Sequence, residues 1–403
     1  MKKNINKVYY GKAIYGTKEI KAVVDVLRNK SLSLMDGNKV KLLESKVAKI
    51  FGKKYGLMVN SGSSANLLGL AALNLKKGSE IITPSLTFST TVAPIYQLNL
   101  VPHFIGVKEN RFVADTDQIE KSINKNTSAI MIPNLLGNIP DWEKIYKIAK
   151  KYNLKIIEDS ADTIGYSFKG KTTGKYSDVV TNSFYASHII TGAGFGGIVC
   201  FNDYTIYKKA KLLRGWGRSS SLFNESEEIS KRFNIKIDGI EYDSKYIFND
   251  IGYNFLPSEI SAAFALEQLK KLKSIVNKRI ENFKIIKKYF KKYKKYFKLP
   301  EQLKYVKTGW LAFPLVIKKS SNIKRKNLQI FLEKNGIQTR TIFTGNILRQ
   351  PIMKNRKYKL QKNTSKTSDD VMRNGLLIGC HHGLKKNEIG YIFKIFDNFL
   401  NRI

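Results

Sequence analysis

Apolar positions along the chain follow two different periods. Near the start, the run EIKAVVDVL between Lys18 and Arg28 repeats at helical spacing and predicts a short amphipathic helix. Gly37 to Phe51 predicts a second helix, ending before Gly52. From about residue 55 to 205 the pattern changes to short β-type runs alternating with helical ones. The β-type runs are Tyr55–Val59, Glu80–Thr83, Val101–Ile105, Ala129–Pro133, Lys155–Glu158, Val179–Phe184 and Gly197–Phe201. Several are largely apolar, as strands buried on both faces are. Helical segments such as Asn60–Leu73 and Trp142–Tyr152 separate them. The alternation predicts an α/β fold with a doubly wound, mainly parallel sheet of about seven strands.

After Arg214 the pattern is less regular. Ser258 to about Lys294 predicts one long helix or a bent pair. The remainder mixes β-type (Trp310–Ile317) and helical (Lys326–Asn335, Lys386–Leu400) stretches, the signature of a smaller α+β unit. The expected division is a large α/β domain over 1–270, with 1–35 as an N-terminal arm, and a small α+β domain over 271–403.

Ligands of open α/β sheets bind at the carboxyl ends of strands, so the residues after each run carry the candidate chemistry. After Tyr55–Val59 comes Asn60-Ser61-Gly62-Ser63-Ser64-Ala65-Asn66, opening a helix. Small residues with free N–H groups at a helix start suit a phosphate, and also suit an ordinary capped helix. After Lys155–Glu158 come Asp159 and, three residues on, Asp162. A carboxylate there is either a helix cap or the partner of a protonated ring nitrogen. Val179–Phe184 leads into Tyr185-Ala186-Ser187-His188 and the glycine-rich Thr191-Gly192-Ala193-Gly194-Phe195-Gly196-Gly197. Imidazole works as acid and base near neutral pH.

Composition narrows the classes of function. The 403 residues carry a net charge of +39. The basic residues are mostly lysines spread along the chain. The densest stretch, Lys287-Lys288 to Lys298, alternates with Tyr and Phe at helical spacing, as a solvated helix face over an aromatic stripe does. A small anionic substrate, such as a nucleotide or phosphate ester, fits the charge better than nucleic acid. No apolar run approaches the roughly 18 residues that span a bilayer, and Met1-Lys2-Lys3-Asn4 leads into no apolar signal segment. A cytoplasmic protein with neither membrane nor nucleic-acid partner is expected. Cys200 and Cys380 are the only cysteines, too few for a four-cysteine cluster within one chain. His381 and His382 are adjacent, so their side chains diverge and predict no metal site, and His103 in a β-type run reads as structural.

Together these pieces have a recognisable order: a phosphate loop, an aromatic in Thr83-Pro84-Ser85-Leu86-Thr87-Phe88, an Asp at a strand end, then Ser183, a basic position and a glycine run. The set resembles a pyridoxal-phosphate site, and nearly the whole chain resembles the sugar aminotransferase family of the fold-type-I pyridoxal-phosphate enzymes. The likeness continues through Arg214-Gly215-Trp216-Gly217-Arg218, Ile251-Gly252-Tyr253-Asn254 and Ser258-Glu259-Ile260-Ser261-Ala262-Ala263. In aminotransferases of that family the position of His188 is a lysine that binds the cofactor covalently, which imidazole cannot do. The exchange, with Tyr185 three residues earlier, is similar to the nucleotide-sugar 3-dehydratase branch. The stretch Arg340-Thr341-Ile342-Phe343-Thr344-Gly345-Asn346-Ile347-Leu348-Arg349-Gln350-Pro351 resembles that branch too.

That branch has two kinds. One acts on a CDP-linked 4-keto-6-deoxyglucose, carries an iron–sulfur cluster and needs a reductase. The other acts on a GDP-linked 4-keto-6-deoxymannose, has no cluster and consumes L-glutamate. The cluster ligands of the first kind fall here on Ala161 and beside Arg218-Ser219-Ser220-Ser221, none of them cysteine. The resemblance therefore implies the clusterless kind, without a reductase, with the CDP-sugar enzyme and a sugar aminotransferase as the competing readings. It implies pyridoxal or pyridoxamine phosphate held by Gly62, Ser63, Ser64, Ser183 and Asn254, the last reaching across a homodimer interface. It further implies Asp159 at the ring nitrogen, Phe88 on the ring face and Asp162 near the ring hydroxyl. His188 is the acid–base group with Tyr185 beside it, and Arg340, Asn346 and Arg349 are candidates for nucleotide-sugar or glutamate contacts.

Overall fold

The computed structural model describes residues 7–29, 34–223 and 228–402, so parts of the expected arm (1–6 and 30–33) and residue 403 lie outside the described residues. The arm that is described contains helix α1 (Thr17–Arg28), followed by α2 (Asn38–Ile50). The strands then follow in chain order: β1 (Tyr55–Val59), β2 (Glu80–Pro84), β3 (Val101–Ile105), β4 (Thr127–Pro133) and β5 (Lys155–Asp159). A small hairpin of β6 (Ser167–Phe168) and β7 (Lys171–Thr172) stands outside the main sheet, which resumes with β8 (Val179–Ser183) and β9 (Gly197–Phe201).

The main sheet runs β1-β9-β8-β5-β4-β2-β3 and adds an eighth strand, Lys359–Leu360, beside β3. The expectation of seven strands is corrected by this edge pair, which is two exposed residues long and has no apolar run to betray it. Six of the seven long strands point the same way. Only β9 runs against its neighbours, pairing antiparallel with both β1 and β8. The carboxyl ends of β1, β8, β5, β4 and β2 therefore lie along one edge of the sheet. Strands β2, β8 and β9 are buried throughout, because helices cover both faces.

Helix α3 (Gly62–Ala72) follows β1 and α4 (Ser89–Gln97) follows β2. The segment from Ser258 is a bent pair: Glu259–Lys270 and Leu272–Phe290 meet at Lys271. The second helix packs into another apolar core with the antiparallel strands Phe297–Lys298, Phe313–Ile317 and Gly375–Ile378 and the helix Lys386–Leu400. Among the described residues no helix is long and apolar enough to cross a membrane.

Two motifs of the sequence turn out to hold this frame together. Glu259 accepts hydrogen bonds from the amides of Gly37, Lys39 and Val40 at 2.9, 3.0 and 2.8 Å, capping α2 from another element. Arg214 is buried and pairs with Asp36 at 2.6 Å and Glu44 at 3.1 Å.

Candidate active site

A cavity of about 1050 Å³ opens where the strand ends meet the second core. Its floor begins at the β1–α3 junction. Ser61 caps α3, its hydroxyl accepting from the Ser64 amide at 3.1 Å. Gly62 and Ser63 line the cavity. Gly62 must be glycine: a Cβ there stands 2.5 Å from Ser183 Cβ and 2.9 Å from its hydroxyl oxygen. The close approach brings the positive end of α3 and the Ser183 hydroxyl to one spot, a donor set for a phosphate.

Asp159 ends β5 and is 6% exposed. One carboxylate oxygen accepts from Asn66 Nδ2 at 2.9 Å and from the Thr91 hydroxyl at 2.7 Å, the other from the Ala161 amide at 3.1 Å. Asn66 is fixed in turn, since its carbonyl oxygen accepts from the Thr181 hydroxyl at 2.6 Å. The carboxylate is thus held rigidly and still faces the cavity. Asp162 is buried and accepts from the Leu136 amide at 2.9 Å. Burial, reinforced by the charge of Asp159, pushes its carboxyl up to about 7.

His188 stands 3.9 Å from Asp162, Nε2 to Oδ1. Its amide donates to the Tyr185 carbonyl at 3.0 Å, so the loop turns back on itself and presents the ring inward. Burial lowers the imidazole to about 4, opposed by the Ser183 main chain and aided to a lesser extent by the Arg279 cation. The ring is neutral at pH 7 and able to take a proton. Tyr185 is 59% exposed and meets the His188 ring edge-on at 5.8 Å. Phe88 is half-exposed at the cavity, edge-on to Phe343 at 5.9 Å. Arg340 lines the opposite wall, with Nη1 donating to the Thr339 carbonyl at 2.7 Å.

The cavity thus gathers Gly62, Ser63, Phe88, Asp159, Asp162, Ser183, Tyr185, His188 and Arg340. Four expected residues lie elsewhere. Ser64 is turned back on Ser61. Asn254 is exposed and bridged to Gly215, outside the cavity of its own chain. Asn346 is fully buried, donating to Asp369 at 2.8 Å and accepting from the Leu348 amide at 3.1 Å. Arg349 forms a two-pronged pair with the same Asp369 at 3.1 and 2.7 Å. Both side chains are tied to Asp369, Asn346 from the interior and Arg349 from the surface.

Sequence reading missed Asn66, Thr91 and Tyr10. Asn66 carried a signal, being a polar residue one turn into an otherwise apolar helix. Tyr10 had none, because the arm reaches the cavity only in three dimensions, anchored by the Val8–Ile337 bridge and by Gln338 accepting from the Tyr10 amide at 3.0 Å.

The donor set fits pyridoxal phosphate: a phosphate cradle that any Cβ at position 62 fills, a fixed carboxylate for a ring nitrogen and an aromatic for the ring face. None of the described residues lining the cavity is a lysine. Cys200 and Cys380 are both buried, one in β9 and one beyond Gly375–Ile378, and no group of three metal-ligating side chains occurs among the described residues. His103 pairs with Glu80 at 3.2 Å on β3, outside the cavity.

Comparison with known proteins agrees with this geometry. The model of the DegT/DnrJ/EryC1/StrS aminotransferase family matches residues 14–397. The lipopolysaccharide biosynthesis protein RfbH of Salmonella typhimurium is 34% identical over 96% of this chain and 90% of its own. GDP-4-keto-6-deoxy-D-mannose 3-dehydratase of Escherichia coli O55:H7 is 34% identical over 94% of this chain and 96% of its own. The solved structure of the E. coli GDP-4-keto-6-deoxy-D-mannose 3-dehydratase with bound hydrated pyridoxal phosphate superposes with a TM-score of 0.87 at 32% identity, covering 97% of this chain and 99% of that one. The architecture is that of the fold-type-I aminotransferases, and the chain belongs to the DegT/DnrJ/EryC1/StrS aminotransferase family.

Proposed function

We propose that this protein removes the C3 hydroxyl of a GDP-linked 4-keto-6-deoxy sugar, using pyridoxamine phosphate and regenerating it with L-glutamate, on the way to a 3,6-dideoxy sugar of a surface polysaccharide. The observation that carries this reading is His188: an imidazole stands where a lysine holds the cofactor in aminotransferases, and the described cavity wall offers no other lysine. Similarity to the E. coli 3-dehydratase supports the reaction, and similarity to the Salmonella lipopolysaccharide biosynthesis protein supports the polysaccharide destination.

Bound pyridoxamine phosphate supplies an amine for the sugar ketone and a conjugated ring that accepts electrons. The chain's own groups do the rest. The Gly62 and Ser63 amides and the Ser183 hydroxyl bind the phosphate, with Asn254 of the partner subunit completing the site in a homodimer. Asp159, held by Asn66 and Thr91, keeps the ring nitrogen protonated. Phe88 covers the ring face and Tyr185 backs His188. His188 takes a proton from the cofactor's C4′ carbon and delivers one to the departing C3 hydroxyl, a contribution on the order of 10²–10⁴-fold. Arg340 binds a glutamate carboxylate, which a guanidinium does through two parallel hydrogen bonds. The sum balances: the sugar loses one oxygen, glutamate becomes 2-oxoglutarate, and its nitrogen leaves as ammonia. Guanosine is preferred to cytidine because Ala161 and Ser219 to Ser221 offer no cluster ligands.

The test is mass spectrometry of a GDP-linked 4-keto-6-deoxy sugar incubated with the enzyme, pyridoxal phosphate and glutamate. A product one oxygen lighter, formed only with glutamate, is expected. A product with nitrogen in place of the ketone oxygen makes the protein an aminotransferase and overturns the role given to His188.

A further inference from the structure

Helix Leu272–Phe290 carries an arginine into the interior. Arg279 is 0% exposed, and its hydrogen-bond partners are all main-chain carbonyls. Nη1 donates to Trp310 at 3.2 Å and to Leu311 at 3.0 Å, and Nη2 to His188 at 3.5 Å. Among the described residues its Nε has no partner. A desolvated cation without a paired carboxylate is a large local penalty. The chain nevertheless makes room for it. Gly309 lies against the helix so closely that a Cβ there stands 2.6 Å from Arg279 Cβ.

The three carbonyls belong to two segments that meet at the cavity. Trp310 and Leu311 precede the strand Phe313–Ile317, and Leu311 lines the cavity wall. His188 sits on the loop after β8. The charged and titratable groups around the imidazole are Tyr185 on its own loop, Asp162 after β5 with Asp159 at the end of that strand, and Arg279 from the helix. Around Arg279 stand Tyr10 from the arm, Tyr166, Cys380, His381 and His382, with Arg340 beyond Tyr10. Asp162 is the carboxylate nearest the ring, at 3.9 Å; Arg279 is the permanent cation at the His188 carbonyl.

We propose that Arg279 is a positioning residue for His188: it holds the His188 carbonyl, fixes the loop that carries the imidazole, and places a permanent positive charge beside that loop. The inference rests on the proposed acid–base role of His188. It assigns Arg279 no contact with substrate or cofactor.

The test reads the histidine directly. The chain has only four histidines, so nitrogen-15 imidazole shifts of the histidine-labelled enzyme, with and without pyridoxal phosphate, resolve His188 once His188→Asn identifies its signal. Arg279→Lys keeps the charge and loses the fork; Arg279→Gln loses the charge and keeps a donor. In Arg279→Gln the His188 titration midpoint rises by about one unit, the low end of the roughly 1–3 units that an adjacent charge produces. In Arg279→Lys it stays within about 0.3 units of the parent protein. A merely structural role predicts the same behaviour in both. An unchanged midpoint in Arg279→Gln overturns the proposal. Should that variant fail to fold, Gly309→Ala takes its place: it retains the guanidinium but forces its backbone away, and an unchanged His188 midpoint there overturns the proposal as well. The titration uses no sugar, so a failure of the dehydratase reading leaves it standing, and a flat result with dehydration intact refutes Arg279 alone.

Discussion

Substituting Asp159→Asn removes one charge and changes no side-chain size, so its consequences follow from the hydrogen bonds alone. One carboxylate oxygen holds Asn66 Nδ2 and the Thr91 hydroxyl, the other the Ala161 amide. An asparagine placed to keep the first two turns its NH₂ toward the Ala161 N–H, donor against donor. Turned the other way it confronts Asn66 Nδ2, and Asn66 cannot flip because its carbonyl oxygen is held by Thr181. At least one hydrogen bond to a charged acceptor is lost, which destabilises the cofactor-free protein by about 1.5–3 kcal/mol. The same charge is proposed to pair with the protonated ring nitrogen. Losing that interaction, of the same size, weakens cofactor binding by roughly 10- to 150-fold. Asp162 changes as well: with the neighbouring charge gone, its carboxyl falls back from about 7. Urea unfolding of the cofactor-free protein and a fluorescence titration with pyridoxal phosphate measure the two terms separately. If Asp159→Asn binds the cofactor as tightly as the parent chain, Asp159 does not face the ring nitrogen and the placement of the cofactor is wrong.

Two further predictions concern the cradle and the base. Gly62→Ala puts a Cβ 2.5 Å from Ser183 Cβ, an overpacking that costs about 1–3 kcal/mol and blocks the phosphate position; adding Ser183→Gly is expected to restore stability in urea without restoring cofactor affinity, and recovery of both speaks against a phosphate there. His188 sits near 4 when folded against 6.5 ordinarily, so the unfolded chain binds its proton first, and the contribution of His188 to stability is lost as pH falls from 6.5 toward 4. His188→Asn lacks that loss, so the parent-minus-variant stability difference is flat above pH 6.5 and declines by about 3 kcal/mol down to pH 4 in paired denaturation series. A difference that stays constant across this range shows that the imidazole is not buried as a neutral group.

How much of this was legible in the sequence follows from where each signal lives. The long strands were readable because each is an apolar run closed by a polar or glycine-rich turn. Helix Lys386–Leu400 was readable because its apolar residues repeat at helical spacing. Helix Ser365–Asn374 was not: it is polar nearly throughout, with only Ser368 and Val371 buried, so it has no stripe to find. The site divides the same way. Gly62, Asp159 and Ser183 sit at strand ends and His188 on the loop that follows one, where local pattern and topology coincide. Asn66 and Thr91 orient Asp159 from two different helices, and Tyr10 arrives from the arm, so their roles exist only after the chain has closed. Arg279 is the clearest case. In the sequence it is one basic residue in a helix rich in lysines. In the fold, the neighbouring Gly309 admits it to the interior, where it reaches the His188 carbonyl, while the helix's lysines at 284 and 288 stay at the surface. A charge excess that reads as solvated surface thus hides cations that are not on the surface at all, Arg279 and Arg214 among them. Burial, not composition, separates the arginine that acts on the site from the lysines that do not.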